Sequence, residues 1–331
     1  MTSRGHDWAI AAMVDEPATL VAAFARHHLA LGAKEVHLYL DRPNPEIADL
    51  IGQREGVFLT VLDETFWLTH NKGYRPHRHT GRQKFIATHT YNTTSCRWML
   101  HCDADEFVRD ADTLLQNLAD TPEGQPLSLR NSERVYLPYS PGTSLFEGGF
   151  RAPMAFAPED LAHLYGPSAR FLHFGLTGHR IGKTMAPTGL PYEFGVHMMR
   201  AEDGSVPEMA KSRQRLLLHF DGMTPLHYAV KLLRKAYENY PGPKRRLGAE
   251  REAQYQFVRD HAGQPDAIFE MIKSVQSITD EQAGVLSTIG KLDETPFTPL
   301  DCTDLDLSRD GFDAALHARE SELFAKAGFQ M

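Results

Sequence analysis

Four short apolar runs, residues 8–14, 35–40, 57–62 and 97–102, are separated by stretches that read as helices. A chain that alternates strand and helix in this way folds into a mostly parallel sheet with helices on its faces. The first run, Trp8 to Val14, is apolar throughout, as a strand buried on both faces should be. Residues 18–31 then read as a helix, with Pro17 tolerated at its start and Gly32 as its stop. Residues 47–54 and 82–95 suit two more helices. The stretch from Asp63 to Gly81 reads as a long loop.

In sheets of this kind ligands bind beyond the carboxyl ends of the strands. Acidic residues fall at three of those ends: Asp15-Glu16, Asp41, and Asp103-Ala104-Asp105-Glu106. Two carboxylates two residues apart, where the chain leaves a buried strand, are oxygen donors of the type Mg²⁺ takes along with substrate phosphates. A cation so held would neutralise charge growing on a departing diphosphate. Asp-x-Asp alone is a common turn sequence; the apolar strand before it and Glu106-Phe107 after it give it weight.

Two basic stretches accompany the acids. Lys72 to Lys84 carries Lys72, Arg75, His77, Arg78, His79, Arg82 and Lys84 with no acidic residue, in a chain whose net charge is −8. Such a local cluster is an anion site near the sheet's binding edge or a solvated loop. Arg82 and Gln83 stand out because they open the helix that leads to the acidic strand. Lys183, in Gly178-His179-Arg180-Ile181-Gly182-Lys183, is a second phosphate candidate. A third feature is the apolar strand that ends in His219 and Asp221. A metal already holding carboxylates accepts imidazole as well, which makes His219 a candidate third ligand beside Asp103 and Asp105.

The remaining composition narrows the field. Hydrophobic residues make up 42% of the 331 and charged residues 24%, as in an ordinary globular protein. The acidic balance argues against nucleic-acid binding through phosphate contacts. Three cysteines are too few for a disulfide framework, and they point to a reducing compartment. No apolar run nears the ~20 residues of a membrane span, and the N-terminal apolar stretch breaks at Asp15-Glu16 without a signal-peptide pattern. The expectation is a cytoplasmic protein, with peripheral contact at the inner face of a membrane left open. Lys244-Arg245-Arg246 would serve such contact or simply face water. No P-loop, Gly-x-Ser-x-Gly elbow, dinucleotide fingerprint or His-Glu-x-x-His motif occurs.

Taken together, several ordered segments resemble the bacterial glycosyltransferase family 2-like proteins. They are Asp15-Glu16, Arg26 to Ala33, Arg82-Gln83, Trp98 to Phe107, Gly178 to Lys183 and Leu218 to His227, threaded through residues 8–235. The resemblance implies a GT-A-type, Rossmann-like mostly parallel sheet with a helical C-terminal extension. It divides the chain into a nucleotide-sugar-binding half (1–125), an acceptor-side half (126–224) and the extension (225–331). It implies transfer of a sugar, with inversion, from a UDP- or GDP-sugar donor to a glycan or lipid-linked hydroxyl acceptor, assisted by Mn²⁺ or Mg²⁺. Asp103 and Asp105 would engage metal and donor. Asp15 and Glu16 would line the nucleoside pocket, with Asp41 beside the base. Arg82, Gln83 and Lys183 complete the donor set. The acceptor base stays open between Asp221 and Glu193, because only geometry decides which carboxylate reaches the hydroxyl. The chain departs from the family in having Asp15-Glu16 where Asn-Glu is usual. It also has Asp41-Arg42-Pro43-Asn44-Pro45 where an Asp-rich, Ser-containing turn is usual. Two alternatives remain: a nucleotidyl- or phosphotransferase acting on a sugar, and a non-catalytic glycan- or nucleotide-binding protein of the same fold.

Overall fold

The computed structural model describes residues 6–238 and 248–329. Lys244-Arg245-Arg246 lies outside them. The chain begins β1 (Trp8–Val14), α1 (Ala18–Ala30), β2 (Glu35–Leu40), α2 (Glu46–Ile51) and β3 (Val57–Val61). It continues through α3 (Glu64–Asn71), α4 (His79–Thr93), β4 (Trp98–His101), β5 (Glu106–Val108), α5 (Ala111–Asp120) and β6 (Leu127–Val135). Next come β7 (Gly149–Arg151), α6 (Pro158–Tyr165), β8 (Lys183–Pro187), β9 (Tyr192–Phe194), β10 (Met199–Ala201) and β11 (Ala210–His219). The described elements that follow are α7 (Pro225–Ala236), α8 (Ala249–Asp260), α9 (Pro265–Gln276), α10 (Asp280–Thr288), β12 (Leu292–Asp293), α11 (Arg309–Arg319) and α12 (Ser321–Ala327).

These elements form two compact units. The first contains residues 1–131, 181–218 and 299–305; the second contains 132–180, 219–298 and 306–331. The chain crosses the division within β6, and again at the last residue of β11.

The first unit is the expected α/β structure, a mostly parallel sheet flanked by helices. Its central strands β4, β1, β2 and β3 are all parallel. β8 joins β4 antiparallel, and the start of β6 joins β8 antiparallel. Every residue of β1 is buried, so its alternate side chains serve two cores. Ala9, Ala11 and Met13 pack with Phe66, Trp67, Ile86 and Tyr91 from α3 and α4. Phe24 and His28 of α1 pack against Phe107. β9 and β10 form a separate antiparallel pair.

One expectation fails locally. The loop read over residues 63–81 contains helix α3, and α4 begins at His79 instead of Arg82. Asp63 caps α3 by accepting from the Phe66 amide at 2.8 Å, and Phe66 and Trp67 bury its inner face. The helix is eight residues long and has one apolar turn, too little for a helical period to emerge from its polar neighbours.

In the second unit, the end of β6 pairs antiparallel with β7, and β7 with β12. Phe146, Phe150, Phe220 and Phe297 meet edge-on and tilted to form an aromatic core. Helices α6 to α12 make up most of the remainder. Among the described residues no helix is long and apolar enough to cross a membrane.

Candidate functional site

In the first unit, β1, β2 and β4 are parallel and end at one sheet edge, with Asp15-Glu16, Asp41 and Asp103 to Glu106 just beyond. Each group is tied down. Asp15 Oδ1 accepts from Arg42 Nε at 2.7 Å, while Glu16 Oε2 accepts from the Asp15 amide at 2.8 Å. Asp41 takes two guanidinium groups, Arg75 on Oδ1 at 2.7 Å and Arg82 on Oδ2 at 2.6 Å. Burial would raise the Asp41 carboxyl, but Arg82 and then Arg75 bring it below its usual value. Two members of the basic stretch are therefore structural partners of Asp41, and Arg75 had no distinguishing signal in the sequence.

The acidic turn after β4 is more tightly built. The Glu106 amide donates to the Asp103 carbonyl at 3.0 Å, closing a four-residue turn. The Glu106 carboxylate reaches back to accept from the Asp103 amide at 2.9 Å. Lys183 Nζ lies between the two acids, 2.8 Å from Asp103 Oδ2 and 3.1 Å from Glu106 Oε2, and its side chain is wholly buried. Gln83 donates to the other Asp103 oxygen. Burial alone would raise the Asp103 carboxyl; Lys183 above all, with His101, holds it well below the carboxylate range. Burial alone would lower the Lys183 ammonium, yet Asp103 and Glu106 raise it. His101 is pushed down to about 4 by burial and by Lys183.

Gly182 is what lets Lys183 enter. A methyl group there would stand 1.6 Å from the Leu129 carbonyl oxygen on the neighbouring strand. Both Asp103 oxygens are engaged, by Gln83 and by Lys183, and Asp105 two residues on is 3% exposed. With both Asp103 oxygens carrying donors, Asp105 is the carboxylate of this Asp-x-Asp pair that could contribute to a divalent-cation site. Glu193 stands exposed on β9, opposite Arg200 of β10.

A second polar cluster lies in the other unit, around the end of β11. Glu133 is fully buried on β6. Its Oε1 accepts from the Thr177 amide at 2.6 Å and from Arg151 Nη2 at 3.1 Å, and its Oε2 from the Gly178 amide at 2.8 Å. His219 Nδ1 lies 3.7 Å from Glu133 Oε2, and its ring stacks on His179 with centroids 5.0 Å apart. Burial opposes the ionisation of Glu133, but His219 and Arg151 bring it down to about 2.

Asp221 holds Lys231 Nζ at 2.7 Å on Oδ1 and Arg251 Nη2 at 3.2 Å on Oδ2. The Thr177 hydroxyl is 3.0 Å from Oδ2. Against the raising effect of burial, Lys231 and Arg251 hold its carboxyl well below the usual range. A carboxylate bearing two cations is a weak base. Glu133, Arg151, Thr177, Lys231 and Arg251 were not anticipated, since they come from five distant segments and share no motif. The one hint was the unbroken polar run Arg130-Asn131-Ser132-Glu133-Arg134 between Leu129 and Val135.

Gly178 touches this cluster from outside. A methyl group on it would stand 2.7 Å from His219 Cε1, 2.9 Å from Glu133 Oε2 and 3.1 Å from Asp221 Oδ2. Gly178→Ala is expected to lower stability by about 1–3 kcal/mol, because all three neighbours are buried and cannot give way freely. Urea unfolding measures this; an unchanged midpoint would show that the cluster is loosely packed.

No family model matches the chain, and no curated protein does. Solved structures are similar in part. One is glucosyl-3-phosphoglycerate synthase from Mycobacterium tuberculosis in complex with Mn²⁺, UDP and phosphoglyceric acid. It is 12% identical with a TM-score of 0.28, over 55% of this chain and 56% of that one. HddC from Yersinia pseudotuberculosis is 11% identical with a TM-score of 0.35, over 68% of this chain and 96% of that one. Mannose-1-phosphate geranyltransferase from Thermus thermophilus is 13% identical with a TM-score of 0.25, over 44% and 48%. The chain thus spans about half the length of the first and third.

Proposed function

We propose that this protein is a metal-dependent glycosyltransferase of the GT-A type that uses a nucleotide-sugar donor. The observation that carries the reading is the common edge at which β1, β2 and β4 deliver Asp15, Asp41 and the Asp103–Asp105 turn. That edge is where open α/β sheets bind nucleotides.

Asp15 and Glu16 line the nucleoside side of the site, and Asp41, oriented by Arg82, stands at the base. Asp105 is the direct metal ligand. Asp103 is held in place by Gln83 and Lys183, so the buried ammonium serves the donor site by orienting that carboxylate. When bound, Mn²⁺ or Mg²⁺ supplies positive charge to the diphosphate leaving group. The acceptor is a glycan or lipid-linked hydroxyl, whose proton passes to a carboxylate as the bond to the anomeric carbon forms. Between the two base candidates, the ion pairs on Asp221 count against it and favour Glu193. Glu193→Gln is therefore the variant expected to lower kcat while leaving donor binding unchanged.

The test is a panel of UDP- and GDP-sugars with and without Mn²⁺, read by thermal shift and by released product. A donor at 100 times its Kd stabilises the protein by about 2.7 kcal/mol. The expected product with a suitable acceptor is a free nucleoside diphosphate. Release of pyrophosphate instead would make the protein a nucleotidyltransferase. Metal-dependent binding without turnover across acceptors would favour the non-catalytic reading, and no shift with any donor would remove the nucleotide-sugar reading.

A further inference from the structure

Between Thr65 and Cys102 the chain carries Lys72, Arg75, Arg78, Arg82, Lys84 and Arg97 but no aspartate or glutamate. In a protein of net charge −8 this stretch of the first unit makes a local positive surface. Its turn from α3 into α4 is firmly built. Lys72 and Gly73 take left-handed backbone, with φ of 53° and 81°, and the Gly73 amide donates to the Trp67 carbonyl at 2.9 Å. The Asn71 side chain donates to the Tyr74 carbonyl at 2.5 Å. From the other side, Arg82 Nη1 donates to the Pro76 carbonyl at 3.1 Å and the His77 carbonyl at 2.8 Å, while its Nη2 holds Asp41.

What the turn exposes selects its partner. Leu68 is 70% exposed and Tyr74 59%. A methyl group on Gly73 would lie 3.9 Å from Leu68 Cδ1, so the leucine stands beside the turn that carries Tyr74. Lys72, one helical turn after Leu68, shares its face of α3 and is exposed, as are Arg75 and His77. Arg75 and Arg82 share the single Asp41 carboxylate, which leaves a positive excess there. The acids nearest before it in sequence, Asp63 and Glu64, open α3 about 12 Å back along its axis. A soluble anion, whether a phosphate or an acidic polymer, gains nothing from an exposed leucine. A lipid interface uses both parts: apolar and aromatic side chains enter the headgroup–acyl boundary, and cations meet anionic headgroups. We propose that the α3–α4 turn docks the protein on an anionic lipid bilayer.

The chain's overall negative charge does not prevent this. At physiological ionic strength exposed charges more than about 8 Å away are largely screened, so the turn sets the attraction. Docking also bears on the proposed donor edge. Arg75 and Arg82 tie the turn to Asp41 at the end of β2, so the bilayer lies beside that edge. Given the transferase reading, on which this step rests, the acceptor is then a lipid-linked hydroxyl and not a soluble glycan. The docking itself needs only the turn, so it and the transferase reading fail separately.

The experiment is cosedimentation of the full chain with vesicles, without nucleotide or metal. One set is phosphatidylcholine alone; the other is equal parts phosphatidylcholine and phosphatidylserine. The protein is expected to sediment with the mixed vesicles and not with phosphatidylcholine alone. Molar salt, which shortens screening to about 3 Å, should release it. Lys72→Glu reverses one charge and should weaken binding by roughly tenfold. Leu68→Gln combined with Tyr74→Ser removes the apolar part and should also weaken it by roughly tenfold. All three positions are exposed, so native-like urea midpoints verify that both variants fold. Binding carried instead by Lys244-Arg245-Arg246 would survive both variants. The proposal is overturned if the mixed vesicles bring down no protein, or if either variant binds them like the native protein. It is also overturned if the turn binds dextran sulfate while the vesicles are ignored. Vesicle binding lost in both variants, in a protein that ignores every nucleotide sugar, would keep the docking while the transferase reading falls.

Discussion

Replacing Lys183 with methionine is expected to destabilise the protein by roughly 3–5 kcal/mol at neutral pH, the usual cost of removing one partner from a buried charge cluster. The ammonium is wholly buried and bridges Asp103 and Glu106, so the variant removes the cation that holds these two carboxylates together. The pH dependence gives the sign. In the native protein Asp103 is depressed, so its contribution is present above its unfolded pKa of about 3.9 and is lost as pH falls through the folded value. Lys183 is raised, so its contribution is complete below about 10.4 and is lost only in strong alkali. Without Lys183, burial dominates and pushes the Asp103 carboxyl up. The variant should then be least stable at pH 8 and should recover towards pH 5, opposite to the native trend in acid. Urea melts of both proteins across that range check this. A variant whose stability is flat with pH, or greater at pH 8 than at pH 5, would remove Lys183 from its assigned role.

The largest functional effect is expected at Asp105. Asp105→Ala should lower kcat by about 10²–10³, the scale of losing one preorganised electrostatic group at a developing charge. Its unfolding midpoint should move far less than that of Lys183→Met. Under the proposed assignment Asp103 positions the metal site, so Asp103→Asn should raise the metal requirement by about 10–100-fold. Initial rates against Mn²⁺ concentration separate the two variants. If Asp105→Ala turns over like the native protein at saturating Mn²⁺, Asp105 does not hold the metal, and the reading loses its main residue.

How much of this was legible in the chain depends on how local each signal is. The parallel strands were readable because a strand covered on both faces must be an unbroken apolar run, as Trp8 to Val14 is. The acidic ends were readable because strand ends and turn residues are neighbours in sequence. Helix α3 was missed because its single buried turn, Phe66 and Trp67, leaves no repeated period. Asp63 followed by Glu64 and that aromatic pair was the available cue, a cap ahead of apolar residues.

The sequence by itself determined the alternating α/β half, the Asp103-Ala104-Asp105 turn at the end of its fourth strand, and the place of Gln83 in the helix leading there. These depend on periodicity and short-range order, which the chain carries explicitly. Only the tertiary structure decided what each carboxylate does. It placed Lys183 between Asp103 and Glu106, set Arg82 and Arg75 on Asp41, and surrounded Asp221 with Lys231 and Arg251. A carboxylate's charge state and orientation are set by the cations and donors within a few ångströms, and here those partners come from remote segments. No spacing in the sequence records them.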